Sequence, residues 1–171
     1  MRKVIVTAYD ERWPVAFEEA AAEICGVLES GCLDVQHIGS TAVPGLAAKP
    51  VIDVLAVVVD IMAVDRFEAA FRKLGYQAKG ENGLPGRRYF ERGGDERTHH
   101  VHCYEQGNPE IVRHLAFRDF LKANPQTAAA YGELKMELAK QYPLNIEQYI
   151  QGKQMMIQEI KKKAIGAIGA I

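Results

Sequence analysis

Long apolar runs are missing from this chain: nothing in its 171 residues approaches the ~18 continuous apolar residues that a membrane-spanning helix needs. No export signal is expected either, because Met1-Arg2-Lys3 is followed only by a short apolar run that ends at Tyr9-Asp10. There is no excess of charge of either sign. Lys and Arg number 21 against 22 Asp and Glu, a formal net charge of −1. That balance gives no global field to recruit nucleic acid or an acidic membrane, so neither is expected as a partner, and any phosphate must be held by a local basic site. Cysteine is scarce. The three present, Cys25, Cys32 and Cys103, show no metal-type pairing such as Cys-x-x-Cys. They are expected to be buried free thiols in a reducing, cytoplasmic setting. Internal repeats and linkers are also lacking, so residues 1–163 are expected to form one domain. The repeated Ala-Ile-Gly of 164–171 is expected to fray.

What is present is ordinary globular material, 48% hydrophobic and 25% charged. Trp13, Phe17, Ala20, Ile24 and Leu28 fall at helical spacing, which predicts a helix over about 14–30 with Pro14 in its first turn. Leu33 to Ile38 alternates as a strand, and Gly39 to Ala48 reads as a turn with a brief helix. Val51 to Val59 is apolar on both faces and predicts a strand covered on both sides. A helix over 64–74 and strands over 76–79, 87–91 and 98–104 follow, with a turn at Gly93-Gly94-Asp95. Asn108-Pro109 and Asn124-Pro125 each look like a helix start, and Asn145 with Gln148 resembles the capping box of a third helix reaching about Lys163. Strands before residue 105 and helices after it predict an α+β fold, a mixed sheet with a helical C-terminal third.

One residue breaks the apolar pattern. Asp53 sits inside Val51-Ile52-Asp53-Val54-Leu55, where an ionised carboxylate is costly unless it is paired, hydrogen-bonded or bound to a metal. It either accepts bonds from nearby backbone or Lys49, or it serves a ligand. The turn before it, Gly39-Ser40-Thr41, favours the second reading. Glycine lets backbone approach a ligand, and a helix start offers free N–H groups to a phosphate. On the strand Thr98 to Tyr104, strict alternation sets His100, His102 and Tyr104 on one face and His99, Val101 and Cys103 on the other. We expect His100 and His102 either to face Asp53 as catalytic or metal-ligating partners, or to be half-buried strand histidines bonded to backbone. A histidine-rich set favours Zn²⁺ or Mn²⁺ over Mg²⁺. Lys49, Arg88 and Arg118 are the candidate phosphate-binding cations, although Arg118-Asp119 also reads as a structural ion pair.

The run from His37 through Gly39-Ser40-Thr41-Ala42-Val43-Pro44-Gly45-Leu46-Ala47-Ala48-Lys49-Pro50 to Asp53 strongly resembles the hallmark of the GrpB family. The resemblance extends to Trp13 and Phe17 upstream and to Thr98-His99-His100-Val101-His102, His114-Leu115, Phe117-Arg118-Asp119, Tyr131 and Leu134-Lys135 downstream. It covers roughly residues 9–155. It implies a nucleotidyltransferase-like fold of the polymerase-β type, a soluble bacterial-type protein, and a nucleotide or coenzyme-type phosphate as ligand, with Mg²⁺, Mn²⁺ or Zn²⁺ as a possible cofactor. It also implies a link to dephospho-coenzyme A kinase, to which relatives occur fused. That superfamily normally carries a second carboxylate two residues after the first. Here the position is Leu55, as looks typical of the GrpB family. Two functions therefore stand at this point: a metal-assisted transferase, or a binding module that kept the cleft and lost the chemistry.

Overall fold

A computed structural model describes residues 2–169 of the chain. Helix α1 (Trp13–Leu28) buries the stripe Trp13, Phe17, Ala20, Ile24 and Leu28 that its spacing predicted. It leads into β1 (Cys32–Ile38), a short 3₁₀ turn at Ser40–Ala42, and β2 (Ile52–Val58). The expected second helix is divided into a 3₁₀ segment, Met62–Phe67, and a short α2 (Glu68–Lys73). Strands β3 (Tyr76–Ala78), β4 (Arg87–Arg92) and β5 (His99–Glu105) complete the sheet. Helices α3 (Pro109–Ala123), α4 (Pro125–Gln141) and α5 (Ile146–Gly169) follow. The fold is α+β, as expected.

The strands lie in the order β1-β2-β5-β4-β3. β2 is antiparallel to β1 and parallel to β5, and β4 is antiparallel to both its neighbours. β2 is therefore an interior strand, and Val54, Leu55 and Ala56 are fully buried on its two faces. One face carries Ile52, Val54, Ala56, Val101, Cys103 and Phe90 and packs on α1 and α2 around Phe71. The other carries Leu55, Val57 and Tyr104, which meet Ile111 and Leu115 of α3. A separate cluster of Val43, Leu46, Leu121, Ala128, Tyr131 and Ile160 joins the turn after β1 to the C-terminal helices.

Several local expectations are corrected. Cys25 is exposed and Cys32 partly so, with their sulfurs 3.1 Å apart, and only Cys103 of the three is buried. Ile24 and Leu28 own the apolar stripe of α1, and Cys25, one residue on, is turned about 100° away from Ile24. Asn108 caps α3 by accepting from the Glu110 N–H at 2.9 Å. Helix α4 starts at Pro125 after Asn124 as expected, but the Asn124 side chain closes the end of α3, its Nδ2 donating to the Phe120 carbonyl at 2.8 Å. Helix α5 runs past Lys163 to Gly169, anchored by buried Ile160 and Ala164. Of the stretch expected to fray, only residues 170–171 lie outside the described residues.

Candidate functional site

β2 and β5 run parallel in the register Asp53↔His100 and Leu55↔His102, so the aspartate and both histidines emerge on the α3–α5 side of the sheet. His102 Nε2 donates to Asp53 Oδ1 at 3.3 Å, and His100 Nδ1 lies 3.3 Å from the same oxygen. The other nitrogens of the two rings, His100 Nε2 and His102 Nδ1, are buried without a protein partner. Burial alone would raise the Asp53 carboxyl. The hydrogen bonds and charge of the two imidazoles outweigh it and hold the group below the ordinary carboxylate range. The carboxylate still opens to a cleft, with 28% of its side chain exposed.

Gly39 forms the wall beside it. Its backbone is at φ 73° and ψ −171°, a region essentially reserved for glycine. A Cβ at this position would come within 2.7 Å of Asp53 Oδ2. Ser40 follows, while the Thr41 hydroxyl is spent on its surroundings, the His37 ring at 2.9 Å and the Val51 carbonyl at 3.3 Å. Burial pushes His37 down to about 4, and its ring stacks on Phe17 at 4.8 Å.

Two cavities flank this centre and share Ser40, Asp53 and Lys153. One, of about 200 Å³, is lined by Lys49, Lys135, Lys153, His100 and Tyr149. The other, of about 260 Å³, is lined by His102, His114, Phe117, Tyr131, Ile157 and Lys161 among others. A larger hollow of about 590 Å³ adjoins the first through Lys49 and Val51 and includes Arg2, Ile5 and Arg97.

The lysines come from three elements. Lys49 precedes β2, Lys135 lies on α4 and Lys153 on α5. The last two helices approach closely because Gly152 leaves room for Leu138, whose Cδ2 would clash with an added Cβ. Each ammonium rests over an aromatic face: Lys135 at 4.4 Å from the Tyr131 centroid, Lys153 at 5.0 Å and Lys49 at 5.5 Å from that of Tyr149. Lys135 is only 2% exposed, and its Nζ has no hydrogen-bond partner. Burial first, then the charges of Lys153 and Lys49, lower it to about 7. Burial and the charge of Lys153 likewise lower Lys49 to about 8.

The structure thus brings Gly39, Ser40, Lys49, Asp53, His100 and His102 together, with Thr41 beside them as a buried brace. Arg88 does not join them. It pairs in register with Cys103 and shares the opposite face of the sheet with Phe90, where its Nε donates to Asp65 at 2.7 Å. Strand alternation turns it away from Asp53. Arg118 acts as a tie between α3 and β1, its Nη1 donating to Gln36 Oε1 at 2.9 Å and to the His37 carbonyl at 3.1 Å. Its Nε meets Asp119 at 2.8 Å, the structural pairing that the sequence left open.

Sequence reasoning did not single out Lys135, Lys153 or His114 as site residues. His114 lies 5.3 Å from His102 between ring centroids, and burial and the charge of His102 lower it to about 4. A signal for the lysines was present. Tyr131-x-x-x-Lys135 and Tyr149-x-x-x-Lys153 repeat one helical spacing that stacks each cation on its own aromatic ring.

A paired-carboxylate, two-metal arrangement does not fit this donor set. Among the described residues no group of three or more His, Cys, Asp and Glu is arranged to hold a metal ion. Leu55, where a second carboxylate would stand, is fully buried among apolar side chains. The single carboxylate faces three lysines across the same small cavity.

The profile of the GrpB protein family matches residues 3–163. A Bacillus subtilis relative, UPF0157 protein YqkA, is 49% identical over 163 residues, covering 95% of this chain and 48% of its own length. The chain therefore spans about half of that relative. The crystal structure of the conserved protein GrpB from Enterococcus faecalis superposes with a TM-score of 0.93 at 47% identity, covering 96% of this chain and 99% of that one. A structure of the Cid1 poly(U) polymerase with Mg 3′-dATP bound reaches a TM-score of 0.56 at 13% identity, over 79% of this chain and 43% of that one. This likeness makes the fold nucleotidyltransferase-like. A dephospho-CoA kinase of Mycolicibacterium paratuberculosis is 26% identical over 180 residues, covering 91% of this chain and 44% of the kinase. Among the described residues no helix is long and apolar enough to cross a membrane.

Proposed function

The chain belongs to the GrpB family, and on that footing we propose that it binds the phosphate groups of a nucleotide or coenzyme-type ligand in the cleft between Asp53 and the lysines of α4 and α5. Lys135 carries this reading. A buried ammonium without a partner costs several kcal/mol, on the order that an apolar side chain of similar length would save. Its retention in a cavity beside Ser40 and Lys153 is explained by an anion that completes its bonding. The adjoining hollow near Ile5 and Pro50 gives room for the organic part of such a ligand. The direct trial is a thermal-shift series of the whole chain with ATP, coenzyme A and inorganic pyrophosphate. At a hundredfold excess over Kd a ligand adds about 2.7 kcal/mol, or roughly 5–10 °C for a domain of this size. Unchanged melting with all three would remove the proposal.

The lysines also set a pH dependence. Lys135 and Lys49 hold their protons only up to about 7 and about 8 in the free protein, whereas lysines of the unfolded chain do so up to about 10.4. Between those limits the unfolded chain binds more protons, so the ligand-free protein gains stability as pH rises from about 7 towards 10. A phosphate needs the charged lysines, so its affinity is expected to fall over the same interval. Calorimetric titration at pH 6.5, 7.5 and 8.5 reads this trend, and Lys135→Gln should flatten it. An affinity that climbs with pH contradicts it.

A second reading, group transfer, is favoured by the Asp53–His102 pair. A carboxylate paired with an imidazole at the edge of a cleft is an arrangement that general acid–base chemistry uses. Labelled nucleotide turned over by the wild type but not by Asp53→Asn supports transfer. Binding without turnover leaves the module.

A further inference from the structure

We infer that the cavity takes its phosphate chain bare, as a metal-free polyanion, with Lys49, Lys135 and Lys153 supplying the positive charge that divalent ions supply in a two-metal site. The inference rests on the phosphate reading above and adds the ionic form of the ligand. In two-metal transfer, paired carboxylates hold ions that clamp the attacking and leaving oxygens. The lysine-lined cavity has one carboxylate, Asp53, and its Oδ1 is already met by His100 and His102 at 3.3 Å each. Its other oxygen is packed so tightly on Gly39 that no Cβ is admitted there. Around the same 200 Å³ space stand three lysines against the one carboxylate of Asp53.

That field repels a divalent cation and draws a polyanion. The arrangement of the cations supports the same conclusion. A lysine balanced by a neighbouring carboxylate has little left to offer a ligand, whereas these three are held in place by the faces of Tyr131 and Tyr149. Aromatic faces position an ammonium without neutralising it. Lys135 Nζ in particular keeps all its hydrogen-bonding capacity. A diphosphate or longer chain with no metal on it presents the oxygens that three separated ammonium groups can share. A magnesium-complexed chain has already surrendered part of that charge and several of those oxygens.

Isothermal titration of the full chain with inorganic pyrophosphate, once in EDTA and once with excess Mg²⁺, separates the possibilities. Binding in EDTA that Mg²⁺ weakens by about tenfold or more, a change of ~1.4 kcal/mol, is the expected result. Binding that requires Mg²⁺, or that Mg²⁺ tightens, overturns the inference while leaving the phosphate reading intact. Absence of heat in both buffers, with no thermal shift either, overturns the phosphate reading itself. Asp53→Asn supplies an independent arm because it preserves shape. Removal of a like charge should tighten pyrophosphate severalfold in EDTA, whereas a loss of affinity confined to the Mg²⁺ buffer would assign Asp53 to a metal and overturn the inference.

Discussion

Lys135→Met is expected to make the ligand-free protein more stable and to weaken phosphate binding by one to two orders of magnitude at the same time. Lys135 is 2% exposed, and its ammonium has no hydrogen-bond partner. Contact with the Tyr131 ring at 4.4 Å offsets only part of its desolvation. Methionine keeps the length and flexibility of the side chain and discards the charge. Replacing buried ionic groups by apolar ones of similar volume commonly stabilises by about 1–4 kcal/mol. For a chain of 171 residues each kcal/mol is worth roughly 2–4 °C in Tm. Charge-assisted hydrogen bonds contribute about 1.5–3 kcal/mol each, so affinity for pyrophosphate should fall roughly 10–100-fold. Scanning calorimetry and titration read the two effects separately. Opposite signs are the mark of a residue kept for a ligand. A fall in Tm would mean that Lys135 serves the fold.

Gly39→Ala carries the second large effect, and its sign is fixed by geometry. The residue combines a φ of 73° with a ψ of −171°, where a side chain costs on the order of 1–3 kcal/mol in backbone strain. The added methyl would also collide with Asp53 Oδ2 at 2.7 Å, and both sides of that contact are fixed, one by backbone and one by two histidines. We expect a total loss of about 2–5 kcal/mol, the strain and the overpacking together. Gly45→Ala is the control. Gly45 also has a positive φ, 79°, but no atom lies within 4 Å of its Cβ position, so it should show only strain, about 1–2 kcal/mol. Urea unfolding of both variants gives the comparison. Equal losses would show that the Gly39–Asp53 contact has no energetic consequence.

Much of this arrangement was legible because period and burial speak locally. The 3.6-residue stripe of α1 and the two-residue alternation of β5 need no tertiary knowledge, and Asp53 announces itself by interrupting an apolar strand. Arg88 was less accessible. Alternation separates it from Arg87 and Tyr89, but only the pairing of β4 with β5 tells which of those faces looks towards Asp53. Lys135 and Lys153 were hidden for a different reason. A lysine on a helix is ordinarily solvated, and only the packing of α4 on α5 shows that Lys135 is buried and Lys153 partly so. Their repeated spacing from a tyrosine was the available clue. The extension of α5 past Lys163 escaped because Ala164 gains its place from tertiary burial, while the sequence there offers only alternating small and β-branched residues.

The most direct measurement is a crystal structure of the chain with pyrophosphate grown in EDTA. The account predicts phosphate oxygens within about 3 Å of Lys135 Nζ and beside Ser40, with Lys49 and Lys153 closing on the same anion. Pyrophosphate found elsewhere on the surface, with the Lys135 ammonium still unpartnered in its cavity, would contradict it.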